Sequence, residues 1–521
     1  MEKKATKMTE IEELQNISSS VSLLGYDSRT NKTGFVPLPS ITTKTAYCGV
    51  RFRKDSASPE GEPFGDLDML ANLPSILGLG GYLVQNDHSR RKLAADSHFK
   101  FASGGAAKLD GTMGHYHWGW NIPWYYAHWE DDIFEYEALS TAPMSGKWNY
   151  KIPVASMSAS GAAALDRTNN ILVSFCNRTA QYRGGTNDAT LDTKWNTFLG
   201  KPVVNVNSEL LQDYAEKNGT HWGASMSCMV FALAALCRII FHNRDIQAAY
   251  KAELTAEGLR QGGLGPGVDN LSESFGKQFA TVDIDALADK GDALGVFSLS
   301  IDKGDGTTQK INNIPCFFGL KNFYHYVWVM QHGNIISFNA DKSADVYVLE
   351  KWTSAAVNTS NTSGFTKIGT IPAASESSWI FTKKMNLDNM NMFPLEFGAS
   401  ASTYYGDGFY HPAITSGLRG LLALGSADYG GHAGVGCLGG SVRPRLPGRT
   451  SARSSAKQKR TGICKLPGWN KLPEVALLTR GSQDPEYTAA TLGAARTVGD
   501  PFYSSFFDLF RVKFGHLLKC D

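Results

Sequence analysis

One aromatic-rich stretch, DGTMGHYHWGWNIPWYYAHWEDDIFEYEALS (110–140), collects most of the side chains that could do chemistry. It carries His115, His117 and His128 with Glu130, Asp131 and Asp132. An H-x-H pair on a strand turns both imidazoles to one face, as two ligands of a single metal would require. The surrounding Trp and Tyr residues favour a blander arrangement, histidines packed at the edge of an apolar core, and no metal is expected. Other chemical signals are weaker. GLGG (78–81) and GGLGPG (262–267) have the glycines of phosphate loops. Neither follows a strand and opens a helix, and no Walker lysine accompanies them, so both read as turns. The chain has no G-x-S-x-G, no H-E-x-x-H and no supported carboxylate pair, so no catalytic residues and no cofactor are expected.

The eight cysteines (Cys48, Cys176, Cys228, Cys237, Cys316, Cys437, Cys464 and Cys520) are scattered, without a C-x-x-C pair. That spacing suits neither a zinc site nor a disulfide framework, and free buried thiols are expected. Cys228 and Cys237 are nine apart on one apolar helix, which turns them away from each other.

These residues need elements to hold them. The run 22–41 is apolar, then turn-rich (DSRTNKTG), then apolar again, and reads as a small hairpin. The second half of 110–140 alternates and reads as paired strands. Residues 169–185 read as a strand ending in a Gly turn. NSELLQDYAEKNG (207–219) reads as a short helix with Asn207 or Ser208 as N-cap and Gly219 as stop. The stretch 225–243 is apolar nearly all round apart from Arg238, and reads as a helix buried on several sides. It is too short and interrupted to span a bilayer. Residues 296–301, 323–330, 334–340 and 345–352 read as further strands, and 261–270 as a loop.

The totals are those of a globular chain. Of 521 residues, 42% are hydrophobic, 19% charged and 11% aromatic, with 53 glycines and a net charge of +2. This balance suits turn-rich β structure and predicts neither nucleic-acid binding nor attraction to a membrane. The N-terminus lacks the apolar core of a signal peptide, so synthesis in a cytosol is expected, with release by lysis or within a particle if the protein acts outside a cell. The composition breaks after Gly440. SVRPRLPGRTSARSSAKQKR (441–460) is basic and nearly free of apolar residues, and reads as a solvated linker. The expected organisation is therefore an attachment segment (1–45), a main domain (46–440) and a basic linker with a tail (441–521).

Six segments in order carry a resemblance. They are LDGTMGHYHWGWNIPWYY, ALDRTNNILVSFCNRTAQYRGGTNDATLDTKWNTFLGKP, LCRIIFHNRDIQAAY, LRQGGLGPGVD, FFGLKNFYHYVWVMQHG and GLRGLLALGSADYGGHAGVGCLGG. Over roughly residues 20–440 the chain resembles the variable, tail-fibre-type proteins of gut Bacteroides phages and prophages. Those proteins are targets of diversity-generating retroelements, similar to a phage major tropism determinant. The resemblance implies an α+β, C-type-lectin-like fold of the formylglycine-generating-enzyme type, with β-rich insertions, two packed helices and a small N-terminal β module. It implies a receptor-binding role on a virion, a host-surface glycan or protein as ligand, contact with other virion proteins through the N-terminus, and a homotrimer. In such proteins swappable side chains project from a fixed frame near the C-terminus. Here the matching positions are Ser426, Asp428, Tyr429 and His432, with Val435 beside them. The frame is Leu421, Leu422, Ala423, Gly425, Gly430, Gly431 and Gly434.

The chemistry of that face also follows from the residues. The glycines permit tight loops. Asp428 and His432 offer hydrogen bonds. Tyr429, with Tyr404, Tyr405 and Tyr410 just upstream, offers amphipathic contact area at low rotamer cost. Family members close with a short strand soon after this segment. Here TGICKLPG (461–468) stands near the right distance, behind an unusually basic stretch and ahead of some 55 further residues. The tail is either a true extension or the product of a reading-frame change. Two other functions compete: an enzyme, of the formylglycine-generating or a glycan-cleaving kind, and a structural virion or cell-surface component.

Overall fold

Alternation along YCGVRFR explains the first strand of the main body. In Tyr47–Arg53, Cys48, Val50 and Phe52 are buried while Arg51 and Arg53 point outward, where Arg51 pairs with Glu62 at 2.7 Å. The computed structural model describes residues 22–27, 32–37, 46–143, 150–185, 187–204, 206, 208–250, 283–324, 326, 328–349, 361–425, 435–442, 474–475 and 478–480. About 40% of the described residues are strand and 15% helix, a β-rich α+β fold.

The chain forms two compact units. The smaller comprises residues 1–44 with 484–521, and the larger residues 45–483. In the smaller unit, strands Ser22–Asp27 and Lys32–Pro37 pair antiparallel as the hairpin that the apolar–turn–apolar pattern predicts. The larger unit does not stop at Gly440. It extends to Gln483 and takes in two short strands, Glu474–Val475 and Leu478–Arg480. The expected closing strand at 461–468 lies outside the described residues.

Among the described residues of the larger unit there are four α-helices. The first two, α1 (Leu67–Ala71) and α2 (Leu73–Leu77), carry readable end signals: the Asp66 carboxylate accepts from Met69 N–H at 2.9 Å, and Gly78 ends α2 in a left-handed conformation. At five residues each, they are too short for a periodic pattern. Next comes α3 (Ser208–Glu216), as the sequence predicts. The fourth, α4 (Ser227–Phe241), is buried from Ser227 to Ile240 and ends at left-handed His242. Its one charge is compensated. Arg238 grips Glu137 of the strand Phe134–Ser140 with Nε–Oε1 and Nη2–Oε2 both at 2.8 Å, and Tyr126 donates to the same carboxylate at 2.7 Å.

The strands fall into several sheets. Trp124–Glu130 and Phe134–Ser140 form a hairpin within a five-stranded sheet, while His115–Gly119 belongs to a different, six-stranded sheet. Only Ile171–Val173 of the predicted strand 169–185 forms a ladder. The largest sheet, of ten strands, contains Trp328–Met330, Asn334–Phe338, Ala344–Val348, Thr366–Ile371, Ser378–Met385, Pro394–Phe397, Gly408–His411, Gly417–Ala423, Leu438–Val442 and Glu474–Val475. It curls almost into a barrel. The ring of Phe393, just ahead of one end strand, fills the space over Gly369 in the other. A Cβ at Gly369 would stand 2.7 Å from that ring, so a larger residue would hold the two ends apart.

Candidate functional site

The histidines do not converge on a metal. His115 and His117 share one face of their strand, and both pack against Trp222, with ring centroids 4.6 and 5.3 Å away. His115 Nε2 meets Asn86 Oδ1 at 3.2 Å, and His117 Nδ1 meets Ser156 Oγ at 3.0 Å. Burial pulls His115 down to about 3, so it is neutral at physiological pH. His128 sits in the other sheet beside Asp388. The Asp131 carboxylate is consumed by its own hairpin turn. It accepts from Ile133 N–H, Phe134 N–H and the Tyr136 hydroxyl at 2.7–2.8 Å, which holds it down at about 2. Among the described residues no group of three or more His, Cys, Asp or Glu could hold a metal ion. Six free cysteines are described, and burial raises the Cys228 and Cys237 thiols far above neutrality.

The opposite face of His115–Gly119 carries a polar cluster that no motif announces. Tyr116 OH lies 2.6 Å from His98 Nδ1, and His98 Nε2 lies 2.8 Å from Asp292 Oδ1. If the phenol donates to Nδ1, the His98 proton sits on Nε2 and faces the carboxylate. Asp292 also accepts from Gly81 N–H at 2.7 Å and from Lys92 Nζ at 2.8 Å. Lys321 Nζ closes the cluster, donating to Tyr116 OH at 3.0 Å and to the carbonyls of Gly319 and Gly291 at 2.8 and 3.2 Å. Burial presses His98 to about 4 and Lys321 to about 8, while Lys92 and His98 hold Asp292 ionised against its own burial. These hydrogen bonds join four distant segments and engage the His98, Asp292 and Lys321 side chains. The cluster ties these four segments of the core together.

The second candidate is the hairpin formed by Gly417–Ala423 and Leu438–Val442. Ala423 stands opposite Leu438, and Leu424 N–H donates to the Cys437 carbonyl at 3.1 Å. Both ends of the intervening segment are therefore held one strand spacing apart. At the outgoing end, Leu424 (φ +73°) and Gly425 (φ +67°) are both left-handed. A buried leucine there is strained, at roughly 1 kcal/mol or more, and the surrounding packing must impose it. At the returning end, Gly436 N–H donates to the buried Asp407 carboxyl group. A Cβ at Gly436 would lie 2.2 Å from Asp407 Oδ2, so only glycine fits. Burial and the neighbouring Asp245 carboxylate raise Asp407 well above the usual carboxylate range, against the pull of Arg238 and of the Gly436 N–H. Beneath the hairpin, Trp328, Met330, Leu422 and Cys437 form a core on which Trp379 packs, its ring 6.0 Å from that of Trp328.

The frame residues Leu421, Leu422 and Ala423 are buried, as a rigid strand requires. Ser426, Asp428, Tyr429 and His432, with Gly430, Gly431 and Gly434, lie outside the described residues. Val435 is buried, which corrects the expectation that it belongs among the projecting positions. Two of the upstream tyrosines also need correcting. Tyr405 is buried with the Arg244 guanidinium over its ring at 5.1 Å, and burial pushes its phenol up to about 12. Tyr410 is buried on the strand Gly408–His411, beside Trp379 at 5.6 Å. Neither offers contact area to a ligand. Tyr404 is half-buried at the surface, with Lys383 Nζ 5.9 Å from its ring.

No protein-family model matches the chain, and no curated protein matches it significantly in sequence.

Proposed function

We propose that this chain is a receptor-binding protein of the phage tail-fibre type. In this reading a C-type-lectin-like domain of the formylglycine-generating-enzyme type displays residues 426–434 to a glycan or protein on a host cell. The observation that carries it is the pair of anchors at 424–425 and 435–437. A segment whose ends are pinned by a left-handed pair, a backbone hydrogen bond and a glycine-only contact keeps its geometry while the side chains between change. Among the described residues no helix is long and apolar enough to cross a membrane, which accords with a virion component. Attachment through the N-terminal hairpin and trimerisation belong to the same reading, since several weak sites on one particle add up to useful avidity.

The test is binding of the full-length chain to a panel of intact bacteria and a bacterial glycan array. Wild type is compared with a variant carrying Asp428→Ala, Tyr429→Ala and His432→Ala. The expected result is saturable binding to a subset of surfaces, lost in the variant. Equal binding by both chains, or turnover of a bacterial glycan, overturns the reading. A reverse-transcriptase gene beside the coding sequence, with a near-copy of codons 419–464 differing mainly at adenines, is the corresponding genomic expectation.

A further inference from the structure

The six-stranded sheet has a gap that the chain fills from very far away. Strands Ser156–Ser158 and Trp222–Ala224 are both fully buried, yet they do not pair with each other. Leu478–Arg480 lies between them and pairs antiparallel with both: Thr479 stands opposite Met157 on one side and Gly223 on the other. Without that strand two buried edges would face each other with unpaired backbone groups, which a folded protein does not tolerate. Two residues upstream, Glu474–Val475 adds in parallel to Trp328–Met330 of the ten-stranded sheet. The segment 474–480 thus stitches two sheets together.

Three features make this stitch exchangeable. The recognised pattern is backbone pairing, which specifies the incoming sequence loosely. The inserted strand is only three residues long. It hangs on 31 residues between Val442 and Glu474, enough to span roughly 100 Å when extended. We propose that the slot between Ser156–Ser158 and Trp222–Ala224 is a strand-acceptor site that also takes the 474–480 segment of a second copy of this chain. Closure within one chain wins in dilute solution. Between copies held side by side at millimolar effective concentration, exchange competes, because both arrangements make the same hydrogen bonds.

Two full-length single variants, Met157→Cys and Thr479→Cys, are mixed with different tags under mild oxidation. A mixed disulfide dimer is expected, mapped by mass spectrometry to positions 157 and 479 and increasing with concentration. The double variant in one chain is expected to close internally when dilute. Internal closure with no mixed dimer at any concentration overturns the exchange, and absence of both products overturns the slot itself. Because Met157 is buried, hydrogen exchange on the unmodified chain provides a second reading. Amides of 156–158 and 222–224 are expected to exchange at least ~10-fold faster than those of Gly80–Val84 in the same sheet, through release of the inserted strand. Equal protection throughout the sheet overturns the proposal.

Discussion

The surroundings of His115–Gly119 and the hairpin at 417–442 handle polar groups in opposite ways. Around the first, groups that look reactive are spent on one another: His98 on Asp292 and Tyr116, Lys321 on two carbonyls. Around the second, the buried polar contact is concentrated at the shoulders, where Asp407 meets Gly436. A network in which every member is engaged cannot change one residue without stranding its partners. Under the proposed reading, the side chains between the anchors at 424–425 and 435–437 are the ones that change. The contrast then separates a part of the molecule that specifies the fold from a part proposed to carry a partner's specificity.

Acid is expected to act most severely, through buried histidines spread over the core. Burial lowers His98, His242 and His332 to about 4 and His115 to about 3. Each has a folded-state pKa below its unfolded value of about 6.5. The unfolded chain therefore binds more protons as pH falls, and stability is lost from about pH 6.5 down to the folded values. At about 1.4 kcal/mol per unit, each buried histidine contributes a few kcal/mol of loss by pH 4, together comparable to the whole stability of a domain. Circular dichroism against pH should show a cooperative transition between pH 6 and 4. His242→Asn, which keeps a residue tolerant of the left-handed conformation, should move the midpoint to lower pH. An unchanged fold at pH 4 would show that these histidines are not sealed.

Next in size is the ion pair. Arg238→Ala leaves the Glu137 carboxylate buried and uncompensated, at an expected cost of about 3–5 kcal/mol in denaturant unfolding. The double change Arg238→Met with Glu137→Leu should recover most of that loss. A single-variant cost below ~1 kcal/mol would mean that water reaches the pair.

These two effects also mark what the sequence could tell. A single arginine in an otherwise apolar 226–241 identifies a buried helix with a charge to be compensated, but not its partner, because Glu137 is 101 residues away. His98 and Asp292 are 194 apart and Lys321 lies 223 from His98, so no local spacing betrays that cluster. The paired strands within 110–140 were legible from the alternation in its second half. Tyr405 and Tyr410 misled for a related reason. Aromatic density signals contact area, but nothing in STYYGDGFYHP says which of its side chains other elements will cover: Tyr405 packs under Arg244 and Tyr410 beside Trp379. The strands Thr366–Ile371 and Ser378–Met385 alternate weakly because many of their residues are only half-buried.

A smaller effect is expected at the shoulder. Gly436→Ala sets a methyl group 2.2 Å from Asp407 Oδ2, and overpacking of this kind costs roughly 1–3 kcal/mol. Because the strain falls on the returning end of the segment, ligand binding should weaken further than the stability loss alone explains. Titration of the ligand at a temperature where both chains are folded checks this. Unchanged affinity would detach the anchor from recognition.

The smallest stability change should come from the residues with the largest effect on binding. Asp428→Ala, Tyr429→Ala and His432→Ala together are expected to shift unfolding free energy by no more than about 0.5 kcal/mol, the range of substitutions outside packed cores, while abolishing attachment to the recognised surface. Opposite outcomes for stability and binding at these positions would set them apart from Arg238, where both fall together. A loss above ~2 kcal/mol would place the three side chains in the interior and remove the distinction between the two regions, since a segment that packs like core cannot also be exchanged freely for another ligand.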